Sequence, residues 1–247
     1  MVATIQLTSA SSDWVDYLTN DWLSGFNNPT YGDFYQNYNP GDPNKVYTQW
    51  GAGTSTGSGV VLDGSFTYNQ GDLDGTIDTL TFGDGLTGSG STGFGVSNPE
   101  LTIDLGGANA ITSFDYSIYN ISVNGSFTGT GSTDGLFDYF DDVGTAQIGT
   151  SANDVFTGFA SDDTFVFDDG WGDDEVNNFG TTSGNEDVLD LTDVSGITSY
   201  MDLIFNHSNW SDATGVLTIS DGGNEIQVNG YVGSDIFAFV NDGNVLV

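Results

Sequence analysis

The chain has 247 residues, of which 35 are acidic, one is Lys or Arg and one is His, giving a formal net charge of −34 at pH 7. Nucleic acids and anionic membranes bind proteins through clustered Lys and Arg, so this composition excludes both as electrostatic partners. The absence of Cys excludes disulfides, zinc–thiolate centres and a Cys nucleophile. No apolar run approaches the roughly 20 residues of a membrane-spanning helix. No catalytic set surrounds a serine or the one histidine, so we expect a protein that is neither an enzyme nor inserted into a membrane.

The first half of the chain has the pattern of an α+β domain. The first ten residues lack the basic and apolar regions of a cleavable export signal. Apolar residues at helical spacing then predict a helix from Trp14 to Gly25. A long loop at 27–45 follows, and a second helix is expected at 134–143. Between them, alternating β-rich segments predict strands at 60–68, 76–82, 100–105, 114–118 and 119–123.

A repeat of nine residues begins at position 149. Glycine opens each of the first two copies, Asp occupies the sixth place, and a third copy after a short insertion keeps two glycines and the Asp. The residues concerned are Gly149, Asp154, Gly158, Asp163, Gly170, Gly172 and Asp174. This is the nonapeptide pattern of calcium-binding parallel β-rolls, in which carboxylate and carbonyl oxygens bind Ca²⁺. Side chains occupy several of the glycine places in the first two copies, so a metal-free, degenerate roll is the alternative.

Further strand signals follow the repeats. They lie at 185–197, in a hairpin at 216–230 that turns between residues 221 and 224, and at 235–240. The residues from about 149 to 247 resemble the RTX-type C-terminal region of type I secretion substrates such as the serralysin metalloproteases. DTFVFDDGWGDDEVNNF (163–179) and EDVLDLTDVSGI (186–197) carry this resemblance together with the repeats and the last predicted strand. It implies a secreted, extracellular protein with a type I secretion exporter as a partner.

Residues 1–143 resemble the HasA haemophores, which are secreted proteins that take up haem. The segment DGTIDTLTFGDGLTGSGS (74–91) carries the resemblance most strongly, supported by DWVDYLTNDWLSGFNN (13–28) and, more loosely, by 119–144. The resemblance implies a curved antiparallel β-sheet backed by helices. A short degenerate calcium β-roll and a β-rich secretion region would then form 144–247. It also implies a monomer that binds haem and docks on an outer-membrane receptor.

The usual haem ligands of that family have no counterpart here. Haemophores hold the iron with a histidine, or a substitute, on one loop and a histidine-supported tyrosine on another. The loop at 27–45 has no histidine, the tyrosine position falls on Asp74, and His207 lies in the secretion region. Phenolate ligands are the remaining candidates, namely Tyr31, Tyr35, Tyr38 and Tyr68. The alternative is a non-haem, calcium-binding extracellular module for adhesion or partner binding on the same scaffold.

Overall fold

The computed structural model describes residues 2–26, 31–36, 46–69, 71–109, 112–129, 133–182, 185–211, 214–231 and 235–247. The chain divides into two compact units. The first comprises Met1–Thr4 and Val15–Asp142, and the second comprises Ile5–Trp14 and Val143–Val247. Both are mixtures of β-sheet and short helices.

An antiparallel sheet dominates the first unit. The strands are β1 (Ala3–Gln6), β2 (Asp33–Tyr35), β3 (Tyr47–Gly53), β4 (Ser58–Asn69), β5 (Asp72–Ser89) and β6 (Gly93–Asn109). Strands β2 to β6 lie in sequence order, each antiparallel to the next. The strands predicted at 60–68, 76–82 and 100–105 lie within β4, β5 and β6 and are confirmed. The loop expected at 27–45 is interrupted by β2, which the sequence did not predict.

Among the described residues of the first half of the chain, three segments are helical. The segment α1 spans 14–25 with a π-helical middle, α2 spans 117–124, and α3 is Leu136–Val143. Both predicted helices are therefore confirmed. The strands predicted at 114–118 and 119–123 are wrong, because α2 occupies much of that region. Ile118 and Ile121 are buried and stand three residues apart, a spacing that places both on one face of a helix.

Trp22 on α1 is a buried residue of the first unit's core. Its indole packs edge-on against Phe82 and Phe127, at ring-centroid distances of 5.2 Å and 5.8 Å. The indole N–H donates a hydrogen bond to the carbonyl of Gly59 at 3.1 Å, so the one polar atom of this buried ring is paired. This contact fixes the helix on the sheet.

In its described residues, the second unit contains two larger sheets with parallel strands and a third sheet of two short antiparallel strands. The strands are β7 (Thr145–Ile148), β8 (Val155–Thr157), β9 (Thr164–Asp168), β10 (Asp173–Asn177), β11 (Thr181–Thr182), β12 (Asn185–Glu186), β13 (Val188–Asp193), β14 (Ser208–Ser211), β15 (Val216–Asp221), β16 (Asn224–Val228) and β17 (Val245–Leu246). One sheet contains β7, β9, β13 and β17 in parallel, and the other contains β8, β10 and β16 in parallel. From β7 to β10 the chain visits the two sheets alternately. We call the parallel strands of both sheets, with the turns that join them, the roll.

The sequence predicts a hairpin and a last strand in the second unit, and of these two the structure contains only the hairpin. The predicted hairpin is confirmed, since β15 pairs antiparallel with β16 and Asp221 lies opposite Asn224. The strand predicted at 235–240 is wrong, because the helix α5 (Ile236–Asn241) occupies that position. Another helix, α4 (200–207), precedes it in the chain. The Asp235 carboxylate accepts a hydrogen bond from the Ala238 N–H at 3.0 Å, which is the N-cap contact that begins a helix.

The segment Ile5–Trp14 packs on the roll. Leu7 donates its N–H to the Ile148 carbonyl, and Trp14 donates its indole N–H to the Gln147 side chain at 2.9 Å. These bonds explain why Ile5–Trp14 groups with the second unit. Across the described ranges, no helix combines the length and the apolar character that crossing a bilayer requires.

Candidate functional site

The first unit contains an aromatic cavity of about 410 Å³. Residues from three strands, a turn and a helix line it: Tyr31, Gly32, Phe34, Trp50, Tyr68, Ile118, Tyr119 and Ser122. Its volume is in the range of small-molecule sites, which are apolar clefts of about 300–1,000 Å³ with a few polar groups. Three phenol hydroxyls and one serine hydroxyl are the polar side-chain groups that this lining can present to a ligand.

Strand pairing places the flat walls of the cavity. Phe34 on β2 lies opposite Trp50 on β3. The ring of Phe34 stacks on Tyr68 of β4, with ring centroids 5.1 Å apart and planes inclined by 26°. Stacked, half-buried rings of this kind hold their orientation through packing, so the aromatic walls of the cavity are formed before any ligand enters.

A left-handed turn positions Tyr31. Tyr31 has φ of 61° and Gly32 has φ of 80°. The Trp50 indole N–H donates to the Tyr31 carbonyl at 3.3 Å, and a Cβ on residue 32 would lie 2.3 Å from that indole nitrogen. Only glycine therefore fits beside the indole. The Tyr31 side chain is 67% exposed, which places its phenol at the open side of the cavity.

Tyr68 is the more enclosed of the two predicted tyrosines. Burial raises the pKa of its phenol above the ordinary value, and the hydroxyl accepts a hydrogen bond from the Gly71 N–H at 3.4 Å. The neighbouring phenols of Tyr119 and Tyr116 raise the pKa further. Tyr68 is therefore a neutral wall of the cavity at pH 7.

The structure separates Tyr35 from this cavity. Successive side chains on a strand point to opposite faces, so Tyr35 faces away from Phe34. It lines a different recess with Gln49, Asp63 and Phe94. Tyr38 lies outside the described residues.

Of the four predicted tyrosines, Tyr31 and Tyr68 are therefore brought together. The sequence did not identify Phe34, Trp50 or Tyr119 as their neighbours. The first two depend on β2 within the loop, and Tyr119 depends on α2, which was taken for a strand.

The histidine takes part in a separate contact in the second unit. Its Nδ1 lies 2.9 Å from the Ser220 carbonyl and 3.5 Å from an oxygen of Asp221, while its Nε2 lies 3.7 Å from Asp202. The two carboxylates approach opposite nitrogens, so they cannot chelate one ion together with this ring. His207 thus links a helix to a hairpin.

The repeat aspartates lie buried at the turns of the roll. Asp154, Asp163 and Asp174 are 1%, 1% and 3% exposed, and Asp187, which lies outside the nine-residue pattern, is fully buried. The repeat glycines lie close by: a Cβ on Gly149 would meet the Phe156 ring, one on Gly158 would meet the Asn178 carbonyl, and Gly170 and Gly172 have positive φ. The nine-residue pattern therefore identifies residues that lie at the turns of the roll.

The buried carboxylates accept hydrogen bonds from backbone amides. Asp163 accepts from the Thr145 N–H at 2.6 Å and from the Phe159 N–H at 2.5 Å. Asp187 accepts from the Asp163 N–H at 2.9 Å and from the Gly180 N–H at 2.7 Å. Each oxygen of both carboxylates therefore accepts at least one hydrogen bond.

The other two carboxylates make a similar but incomplete set. Asp154 accepts from the Thr150 N–H at 2.5 Å, and Asp174 accepts from the Asp154 N–H at 2.8 Å. The second oxygen of Asp174 is buried and has no hydrogen-bond partner.

This arrangement does not fit a calcium ion. Ca²⁺ takes about six to eight oxygen ligands at 2.3–2.6 Å. Among the residues that the structure describes, no three His, Asp or Glu side chains converge on a common point. Of the four buried carboxylates, Asp174 alone keeps an oxygen without a hydrogen-bond partner. The oxygens of Asp154 and Asp163 accept hydrogen bonds in the structure, and the predicted calcium-binding roles of these residues stay a prediction.

We expect the second unit to be more stable at pH 5 than at pH 8. Burial, together with the nearby charges of Asp154 and Asp173, raises the pKa of Asp174 to about 8. Burial, together with the nearby charges of Asp163 and Asp162, raises the pKa of Asp187 to about 7. The folded state holds these protons at pH values where the unfolded chain, with carboxyl pKa values near 4, releases them. This stabilisation is complete below pH ~4 and is lost as the pH rises through 7 to 8.

Thermal unfolding at high, constant ionic strength measures this dependence, because salt screens the net charge of the chain. The Asp187→Asn variant should flatten the pH dependence between pH 5 and pH 8. The exposed Asp168→Asn is the control and should keep the wild-type slope. Equal slopes in the two variants would contradict the assignment.

Comparison with known proteins gives a limited result. No known family and no curated protein matches the sequence. Solved structures of HasA haemophores do match. The apo HasA of Yersinia pestis in its tetragonal form is 24% identical over 44% of this chain and 66% of that chain, with a TM-score of 0.34. The holo HasA of the same organism is 19% identical over 59% and 98%, with a TM-score of 0.39.

A mutant HasA monomer from Yersinia pseudotuberculosis is 26% identical over 41% of this chain and 64% of that chain, with a TM-score of 0.33. The chain thus spans just under two thirds of the first of these structures. TM-scores this low do not establish a shared fold, so the function has to be argued from the residues of the chain itself.

Proposed function

We propose that this chain is an extracellular haem-binding protein, and not an enzyme, that holds haem in the aromatic cavity of its first unit. The observation that carries the proposal is that Tyr31 and Tyr68 line one cavity together with Phe34, Trp50 and Tyr119. A porphyrin is a flat, mostly apolar ring, and stacked aromatic walls bury such a surface without requiring charged partners.

Tyr31 is the proposed iron ligand. A tyrosine oxygen is an established axial ligand for haem iron. The phenol of Tyr31 is exposed and therefore accessible to a ferric ion, whereas burial raises the pKa of the Tyr68 phenol above its ordinary value. Tyr68 then serves as a stacking wall with Phe34 at 5.1 Å.

Export and partners belong to the same proposal. The sequence resemblance of 74–91 to haemophores and of the C-terminal half to type I secretion substrates supports a secreted monomer. Its partners would be a type I exporter, haem and an outer-membrane receptor. With one basic side chain in the whole protein, the haem propionates would have to remain in water.

Titration of the full chain with haemin, followed by absorbance, tests the proposal. We expect a saturable shift of the Soret band and a charge-transfer band of the tyrosinate–iron type. The same titration with iron-free protoporphyrin separates stacking from ligation, because only haemin can produce the charge-transfer band. Spectra identical to those of free haemin at every protein concentration would overturn the proposal.

A non-haem ligand-binding module is the second candidate. The raised pKa of Tyr68 and the shortage of cationic side chains favour a neutral, flat aromatic ligand over an iron porphyrin with two carboxylates. Saturable binding of a neutral, flat aromatic probe, together with spectra of haemin that the protein leaves unchanged, would support this candidate.

A further inference from the structure

We infer that bonds between aspartate carboxylates and backbone amides close the turns of the roll in place of calcium, and that the second unit folds without calcium. The inference concerns the second unit and is independent of haem binding.

The first observation is a series of hydrogen bonds, which we call the ladder, that connects the starts of three neighbouring parallel strands. Thr145, Asp163 and Asp187 each stand at the first residue of, or directly before, β7, β9 and β13. The Thr145 N–H donates to Asp163, and the Asp163 N–H donates to Asp187. One oxygen of each carboxylate therefore ties its own turn to the preceding turn.

The second observation is a bond inside each turn. The N–H four residues earlier donates to the carboxylate in two turns, from Thr150 to Asp154 and from Phe159 to Asp163. Asp187 receives the equivalent bond from the Gly180 N–H. A carboxylate oxygen of Asp154, Asp163 and Asp187 therefore closes its own turn. A metal ion at these oxygens would have to share them with the buried amides that already donate to them.

The third observation is that hydroxyl groups strengthen the same contacts. The Thr145 hydroxyl donates to Asp163 at 2.7 Å, and the Thr150 hydroxyl donates to Asp154 at 2.9 Å. Thr150 occupies a place where the nonapeptide pattern has glycine. This departure from the pattern supplies a donor, so the substitution fits a roll closed by hydrogen bonds.

Asp174 ends a separate, shorter ladder on the other sheet, in which the Asp154 N–H donates to the Asp174 carboxylate. Its turn keeps both pattern glycines, and one of its oxygens is buried without a partner. The next strand, β16, presents Ile226 opposite Asp174, so no further carboxylate continues this shorter ladder. A single free oxygen is far from a calcium coordination shell, and we assign a proton to this carboxyl group.

Calcium addition to the full chain tests the inference. Protein prepared in EDTA should give the same far-UV circular dichroism spectrum and the same unfolding midpoint as protein in millimolar CaCl₂. Amide hydrogen exchange should protect the Thr145 and Phe159 N–H groups in EDTA. This readout reports on the roll even where the first unit dominates the spectrum.

A calcium-dependent rise in the midpoint of roughly 5–10 °C, as expected for an ion bound well above its dissociation constant, would overturn the inference. So would rapid exchange of these two amides in EDTA that calcium slows. In either case, the Asp174→Asn variant would test whether the ion lies at the one free carboxylate oxygen.

Discussion

The Asp163→Ala variant is expected to lose roughly 3–5 kcal/mol of unfolding free energy in the second unit. Three donors lose their acceptor, namely the Thr145 N–H, the Thr145 hydroxyl and the Phe159 N–H. Asp163 is 1% exposed, so water cannot replace the carboxylate without opening the turn. Each buried polar group left unpaired costs about 1–3 kcal/mol.

Denaturant unfolding followed by circular dichroism and amide exchange measures this loss. The matched control is Asp168→Ala, which removes an exposed carboxylate at the other end of the same strand and should change stability by less than about 0.5 kcal/mol. Asp163→Asn should fall between the two variants, because its amide keeps one acceptor oxygen and loses the other. Equal stability of Asp163→Ala and the control would contradict the proposed ladder.

The turns of the roll illustrate what sequence spacing can and cannot predict. The nine-residue repeat marks Asp154, Asp163 and Asp174, and all three side chains are buried at turns of the roll. The repeat does not identify Asp187, although Asp187 belongs to the ladder. The turn that precedes Asp187 is longer, so Asp187 falls outside the nine-residue spacing. Which amide meets which carboxylate depends on pairing between strands about 20 residues apart, and that pairing is set by the packed sheets.

The two misassigned segments have a local explanation. The segments at 114–123 and 235–240 are rich in aromatic and branched residues, which favour strands when read alone. Two signals indicate helices instead. In the first segment, Ile118 and Ile121 are buried at a spacing of three residues. In the second, Asp235 caps the start of the helix. The segments are short, so tertiary packing decides between the two periodicities.

The aromatic cavity was predictable only in part. Loop tyrosines were the candidates because phenolates are the remaining ligands in a chain without Cys and with one His. The left-handed turn at Tyr31 and Gly32 and the short strand that follows it decide which side chains face the cavity. That strand has three residues, too few for an alternating pattern to stand out, so Tyr35 could not be assigned to the opposite face in advance.

Replacement of Tyr31 by Phe is expected to abolish the tyrosinate–iron charge-transfer band and to weaken haemin binding at least about tenfold, or about 1.4 kcal/mol. Only the phenol oxygen is removed, and the aromatic ring stays at the open side of the cavity. Tyr68→Phe should keep the band, because its role is to stack on Phe34 and its hydroxyl receives only a long bond from Gly71. Haemin titrations of the two variants, read at the Soret and charge-transfer bands, measure the difference.

Tyr35→Phe is the matched control for both variants. It also removes one phenol oxygen, from the strand β2 that follows the Tyr31 turn. Tyr35 faces the recess formed with Gln49 and Phe94, and not the aromatic cavity. Its titration should match that of the wild type. Loss of the band in Tyr68→Phe with retention in Tyr31→Phe would move the ligand to the inner wall of the cavity. An unchanged band in all three variants would mean that none of these tyrosines binds the iron, and the aromatic walls would then act by stacking alone.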